Sequence, residues 1–172
     1  LKTVDSGGAA VLSLCLDRDG QFAVSGGADG ALRLWNLPSG LCLGVLEGHT
    51  GSVLSVAPSP DARVVVSASA DHTLRVWDVD RHRCLGVLEG HTDRVRSVCL
   101  TREGDLLLSG SDDHTLKLWG LRDPAADCLR TFRGHTSPIR SVCVTPDGRI
   151  AASGGADRTI KLWDVSTGRC LR

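Results

Sequence analysis

A chain of 172 residues with 41% hydrophobic content is long enough for a globular core, and with four Trp, two Phe, no Tyr and no Met that core must be mainly aliphatic. Twenty basic residues cancel twenty acidic ones without any charge block, so net charge gives no support to a nucleic-acid partner. No apolar run approaches the roughly 18 residues of a membrane span and no charged-then-apolar leader is present, so no membrane association is expected; since Leu1 rather than Met stands first, any targeting segment would lie outside this stretch.

The chain opens with Leu1–Val4, which matches Leu43–Leu46, and enters a first copy of a repeating pattern: Asp5-Ser6-Gly7-Gly8, a turn at Asp19-Gly20, then Ser25, Asp29 and Trp35. The second copy is the clearest. It runs Gly48-His49-Thr50, an apolar stretch Val53–Ala57, a turn at Ser59-Pro60-Asp61, Val64–Ser67, Asp71, and Leu74-Arg75-Val76-Trp77-Asp78. The third copy places Gly90-His91 ahead of a turn at Glu103-Gly104 and then Ser109, Asp113 and Trp119. The fourth places Gly134-His135 ahead of Pro146-Asp147-Gly148 and then Ser153, Asp157 and Trp163. The tryptophans are spaced 42, 42 and 44 residues apart, the longer period arising in the connection Arg122–Asp127. In each copy the Ser lies four residues before the Asp and the Trp six after it. A fixed period of this size marks a supersecondary unit that buries its faces only against copies of itself. The whole of 1–172 therefore reads as one repeat domain, with units at approximately 1–47, 48–89, 90–133 and 134–172.

Each copy breaks into four short runs rich in Val, Leu and Ile, separated by Gly, Pro and Asp turn chemistry, as antiparallel hairpins require. In the third run Leu74 and Val76 alternate with Thr73, Arg75 and Trp77, the period of two of a strand. No stretch holds apolar residues at helical spacing for three turns. The expected class is all-β.

With Gly-His opening its repeats and Trp-Asp closing them, the chain resembles the WD-repeat family of β-propellers over essentially its whole length. Three copies carry Gly-His, and Trp77-Asp78 and Trp163-Asp164 carry the closing pair, while Trp35-Asn36 and Trp119-Gly120 depart from it. The resemblance implies a propeller of four-stranded antiparallel blades and a non-enzymatic scaffold that binds partner peptides or domains on its face. It also implies a hydrogen-bonded tetrad in each complete blade, running from the Trp indole through Ser and His to Asp. These sets are His49, Ser67, Asp71 and Trp77; His91, Ser109, Asp113 and Trp119; and His135, Ser153, Asp157 and Trp163. The first copy offers only Ser25, Asp29 and Trp35, because Gly7 stands where the His is due. Ser69 and Ser111 compete for the serine role, but Gly27 and Gly155 at the matching positions favour Ser67 and Ser109. A recurring Ser, His and Asp also suggests a catalytic triad. A hydrolase, however, needs one activated nucleophile in a water-accessible cleft, so recurrence argues for a structural tether and no catalytic residue is assigned.

The seven cysteines follow the packing period. Cys42, Cys84, Cys128 and Cys170 share one repeat position and Cys15, Cys99 and Cys143 another, with no Cys-x-x-Cys pair. They read as small buried core residues in a reducing compartment, cytoplasmic or nuclear. Asp71-His72 and Asp112-Asp113-His114 resemble metal ligands only superficially, since the turn needs the Asp; no metal and no cofactor is expected. Function should lie where the copies differ. The residue after the first-strand Val or Ile is Leu12, Leu54, Arg96 and Arg140, and the residue before the turn Asp is Ala28, Ala70, Asp112 and Ala156. Arg94, Arg96, Asp112 and Arg140 thus form a candidate patch for an acidic or phosphorylated segment of a protein partner. Four repeats fall short of the family's usual ring of about seven blades, within the range of roughly four to eight that propellers span. Either the chain is part of a larger propeller, which the repeat count favours, or chains self-associate to close the ring, for example two making eight blades. Two other functions stay open: the regulatory segment of a larger multidomain enzyme, and a purely structural self-assembling subunit.

Overall fold

The computed structural model describes residues 6–17, 19–121 and 127–172. Among them every regular element is a strand. The first blade is built from β1 (Val11–Leu16), β2 (Phe22–Gly27), β3 (Leu32–Asn36) and β4 (Leu41–Leu46), paired in chain order and antiparallel throughout. The second repeats this with β5 (Val53–Pro58), β6 (Val64–Ser69), β7 (Leu74–Asp78) and β8 (Arg83–Leu88), and the third with β9 (Val95–Leu100), β10 (Leu106–Ser111), β11 (Thr115–Gly120) and β12 (Cys128–Arg133). The fourth holds β13 (Ile139–Val144), β14 (Ile150–Gly155) and β15 (Ile160–Asp164).

Three of the sheets have four strands, as expected for the blades, and the fourth has three. Cys170–Arg172 stand where β4, β8 and β12 run, and they form only a bridge from Cys170 to Trp163, with Leu171 N–H donating to Leu162 O at 2.7 Å. Three residues suffice for a bridge but not for a strand. Leu1–Val4, which match the outer-strand residues Leu43–Leu46, and most of the long connection, 122–126, lie outside the described residues.

The core lies between blades rather than within one. Val53, Val56, Val65 and Trp77 of blade two pack on Val24, Leu32, Leu34 and Leu46 of blade one. Val95, Val98, Leu107 and Trp119 pack in the same way on Val66, Ala68, Leu74 and Leu88, and Ile139, Val142, Ala151 and Trp163 on Leu108, Leu116, Leu118 and Phe132. Each blade thus has a leading face, from its first strand and its Trp, and a trailing face, from its second, third and fourth strands. The first strands β1, β5, β9 and β13 touch in succession, so they form the inner wall. Polar stitches repeat along it: Ser13, Ser55 and Ser97 accept the N–H of Val56, Val98 and Val142 from the next blade at 3.1, 3.2 and 3.1 Å.

Two bulges recur. In the inner hairpin the extra residue is Leu12, Leu54, Arg96 or Arg140, and at the outer strand it is Leu43, Leu85 or Leu129. The cysteines at the outer-strand position lie on the rim, with or without a bulge beside them, which corrects their expected burial: Cys42, Cys128 and Cys170 are exposed and Cys84 half-buried. Each satisfies its thiol locally, donating to the carbonyl two residues on at 3.2 to 3.5 Å. On the inner strands Cys143 is exposed, and Cys15 and Cys99 are half-buried. Desolvation pushes the Cys99 thiol up to about 12, so it stays a protonated packing group.

Small residues set the blade spacing. A Cβ at Gly110 would lie 2.7 Å from both Ile139 Cγ2 and Val142 Cγ1, whereas one at Gly154, the equivalent position in blade four, meets nothing within 4 Å. Gly110→Ala should therefore destabilise by about 1–3 kcal/mol through overpacking, and Gly154→Ala should not. Thermal melts of the two variants check this, and equal melting temperatures would contradict the packing described.

Candidate interaction face

At one end of the blades the loops before each first strand meet the turns between second and third strands. In blade two the Trp77 indole N–H donates to Ser67 Oγ at 2.8 Å, and that hydroxyl lies 2.7 Å from His49 Nε2. His49 Nδ1 is 2.7 Å from Asp71 Oδ2, which also accepts the N–H of Thr50 at 3.0 Å. The bonds define the tautomer: Nδ1–H donates to the carboxylate and Nε2 accepts from the serine, so a neutral imidazole satisfies every partner. Blades three and four repeat the chain. Trp119–Ser109–His91–Asp113 has spacings of 2.9, 2.8 and 2.7 Å, and Trp163–Ser153–His135–Asp157 has 2.8, 2.7 and 2.7 Å.

Each chain has a fifth member that sequence reasoning missed. Thr73 Oγ1 donates to Asp71 Oδ1 at 2.7 Å, Thr115 Oγ1 to Asp113 at 2.6 Å and Thr159 Oγ1 to Asp157 at 2.8 Å. The signal was present: a Thr follows the Asp by two residues in the three copies with a His, and Ala31 takes its place in the copy without one. Blade one shows what remains when the His is absent. Trp35 still donates to Ser25 at 2.8 Å, but Asp29 turns to Arg33, with Nη2–Oδ2 at 2.7 Å, and is not joined to the serine. The competing serines act on the same loop through other atoms: Ser69 Oγ donates to Gly51 O and Ser111 Oγ to Asp93 O, both at 3.0 Å. In blades two and four the glycine before the His is crowded by the Trp beneath it, since a Cβ would approach Trp77 Cη2 to 3.2 Å at Gly48 and Trp163 Cη2 to 3.0 Å at Gly134.

The electrostatics match a tether. Burial lowers the His49 pKa, outweighing the opposing pull of Asp71. For Asp71, burial alone would raise the pKa, but the bonds from Thr73 and His49 outweigh it and hold the carboxyl at about 2. Asp113 and Asp157 are held low by the same balance, with His91 and Thr115, or Thr159 and His135, overcoming desolvation. Ser67 and Ser109 are fully buried and engaged by both Trp and His, so no substrate reaches these hydroxyls.

The residue closing each repeat has a local task of its own. Asn36 accepts the N–H of Ser39 at 2.9 Å, Asp78 that of Arg81 at 2.9 Å, and Asp164 that of Thr167 at 2.7 Å, so each caps the turn into the outer strand. For Asp164 the Ser166 hydroxyl and the Thr167 N–H and hydroxyl hold the carboxyl at about 2. Asn36 is thus a working substitute, whereas Gly120 has no side chain to cap with and is followed by the long connection.

The WD40 family profile, described as WD domain, G-beta repeat, matches residues 1–36, 40–78, 82–120 and 126–164. The chain belongs to the WD-repeat family. Its matched units 40–78 and 82–120 each begin near the outer strand of one blade and end on the third strand of the next, so each of these repeats spans a blade joint. A comparison with curated proteins found no significant match. WD repeats generally serve as scaffolds for protein–protein interaction and are typically non-enzymatic. Among the described residues of this WD-repeat chain, no helix is long and apolar enough to cross a membrane, and no three His, Cys, Asp or Glu are grouped to hold a metal. His72 and His114 instead occupy left-handed turn positions, with φ of 72° and 67°.

The four candidate patch residues are gathered on this end of blades three and four, but not as free charges. Arg96 grips Asp112 through Nε at 2.8 and 2.9 Å and Nη2 at 2.7 Å, and holds its carboxyl below the usual range. Arg140, from the next blade, reaches the same carboxylate at 3.5 Å and is half exposed. Arg94 is exposed, its carbonyl accepting the Asp112 N–H at 2.9 Å. Asp93, whose carboxylate accepts the Arg94 N–H, adds a second anion at the rim.

Two outcomes follow from the tether. His91→Ala or Trp77→Phe should cost about 1–3 kcal/mol by leaving buried groups unpaired, and Thr115→Val about 1 kcal/mol, read from denaturant midpoints. The pH dependence has a defined sign. A pKa lowered on folding means the unfolded chain binds protons first, so stability falls with decreasing pH. His49 contributes a decline starting near its unperturbed 6.5, and the aspartates a second one as pH drops from 3.8 through the folded Asp71 value of about 2. Melting temperatures between pH 8 and 2 check this; a flat profile over that range would count against the assigned protonation states.

Proposed function

We propose that this chain is a non-enzymatic interaction platform whose blade-three and blade-four loops receive an acidic or phosphorylated segment of a protein partner. The observation that supports it is the Arg96–Asp112–Arg140 cluster, where two guanidiniums contact one carboxylate and Arg94 adds a third cation within electrostatic range of it. Asp112 pre-positions Arg96, while Arg140 has only a long contact to it and keeps donors for a ligand. The corresponding inner-strand residues of blades one and two are Leu12 and Leu54, so the cationic end is confined to one side of the face and gives a docking segment a direction. Self-association through the ends of the blade array belongs to this reading as a second partner class. A reducing setting, cytoplasmic or nuclear, is supported by seven cysteines distributed over the blades at periodic positions.

A fluorescein-labelled peptide carrying phosphoserine flanked by glutamates is the probe. Fluorescence polarisation should show binding that weakens as salt increases, and Arg94→Glu with Arg140→Glu should reduce it by about tenfold or more, the scale of one charge-assisted hydrogen bond. Asp112→Asn should strengthen it severalfold, because it releases Arg96 and Arg140 from their internal partner. Identical curves for the wild type and the charge-reversed variant would overturn the patch.

A further inference from the structure

The loops that follow each His differ at two positions, and the difference is one of charge. They read Gly51-Ser52 in blade two, Asp93-Arg94 in blade three and Ser137-Pro138 in blade four. Across each joint this loop meets the turn of the preceding blade. At the first joint a Cβ on Gly30 would lie 3.1 Å from Gly51 O. At the second, His72 holds the position of Gly30 and its Nε2 lies 3.9 Å from Asp93 Oδ1, both side chains being half exposed. At the third, the repeat sets His114 against Ser137, and His114 shares the left-handed backbone of His72.

Blade three therefore carries a complete set of charges, and blade four carries the cations of that set without its anions. Arg96 is bonded by Asp112 and lies within electrostatic range of Asp93. Arg140 is its equivalent, but Ala156 stands in the place of Asp112 and Ser137 in the place of Asp93. The carboxylate that Arg140 reaches is Asp112, borrowed across the joint at 3.5 Å. Ser137 is also held differently from its counterparts. The carbonyls of Gly51 and Asp93 each accept a bond from Ser69 or Ser111 at 3.0 Å, whereas Gly155 has no hydroxyl to donate. Ser137 is half-buried rather than closed off, and among the described residues none bonds its hydroxyl. The next residue, Pro138, offers no backbone N–H to compete for it.

We infer that Ser137 is a phosphorylation site for a proline-directed kinase and that its phosphate closes onto Arg140 and His114, filling the anion patch from within. In the transfer, Ser137 Oγ bonds to the γ-phosphorus of ATP, the bond from that phosphorus to the β,γ-bridging oxygen breaks, ADP leaves, and the hydroxyl proton passes to the base of the kinase. The product carries a charge of about −1.5 to −2 and three acceptor oxygens, more than the carboxylate of Asp93 supplies in blade three. Asp112 is the opposing charge, and Arg96 already neutralises it through three hydrogen bonds. The consequence for docking rests on the reading of this patch as the partner's anion site: an internal phosphate takes the Arg140 donors that an acidic segment would use, so phosphorylation turns docking off.

Incubation of the purified chain with Mg-ATP and a proline-directed kinase, followed by tandem mass spectrometry, tests the site. One phosphoryl group should appear on Ser137, and that position should stay unmodified in Ser137→Ala. By phosphorus NMR the second ionisation of the phosphoserine, at about 6 when free, should fall by roughly one unit beside the guanidinium and return in phosphorylated Arg140→Gln. Binding of the fluorescein-labelled acidic peptide should weaken about tenfold on phosphorylation, and kinase treatment of Ser137→Ala should leave it unchanged. A Ser137 that takes no phosphate, a titration that Arg140→Gln does not move, or peptide binding that phosphorylation does not weaken would each overturn the proposal. The mapping and the titration do not involve the peptide. A peptide that fails to bind the unmodified chain therefore removes the docking reading alone, and the Ser137 site is decided by the other two measurements.

Discussion

A blade of four short strands has two apolar faces and can cover neither by itself. Every larger feature of this molecule follows from that constraint. The hydrophobic clusters lie at joints rather than inside blades, and each combines the first strand and Trp of one blade with the middle strands of its predecessor. Repetition is then a packing solution, because a face that fits one neighbour fits the next. The glycines at positions 26 and 110 belong to the same solution: a β-branched side chain from the following blade occupies the space their Cβ atoms would need.

Face-to-face packing holds the blades together but leaves the loops at their ends free to splay. The Trp–Ser–His–Asp–Thr chain ties them down. It starts at a tryptophan that already serves the joint and ends at a carboxylate that also receives the Thr50 N–H, so side-chain packing and loop position become one coupled unit. Such a network is stabilising only if every group is satisfied, which is why the loss of one member matters. Blade one makes the point within the same chain: without a His, Asp29 pairs with an exposed Arg33, and the link from turn to serine is gone.

How much of this could be read from the residues alone depended on whether the deciding contact was local or between strands. The tryptophan period defined the blades, and Ser, Asp and Trp at constant offsets within a hairpin were identifiable because adjacent strands keep offsets constant. Thr73 was overlooked although its two-residue spacing from Asp71 is as regular, since a Thr beside a turn Asp also reads as ordinary turn chemistry. The cysteines were misjudged for a different reason. Periodicity shows that a position is equivalent in every blade but not which side of the strand it faces, and the outer-strand position lies on the rim with or without a bulge beside it. The pairing of Arg96 with Asp112 crosses 16 residues and two strands, so the sequence could place both near one loop without showing that they neutralise each other.

The inner bulge explains why variation concentrates where it does. Leu12, Leu54, Arg96 and Arg140 are the unpaired residues of their hairpins, so their side chains are released from the alternation that commits Val53 and Val56, or Val95 and Val98, to the joint. A residue on either side of the bulge cannot change without altering a blade contact, whereas the bulged residue can be leucine in one blade and arginine in the next at no cost to packing. The same logic applies to Asp112, whose backbone N–H makes the bond that Ala28, Ala70 and Ala156 make in their own blades. Its side chain is free to differ because its main chain does the structural work. The fold therefore keeps a ring of positions at one end of its inner wall that are rigidly placed yet chemically unconstrained, and a binding surface requires both properties.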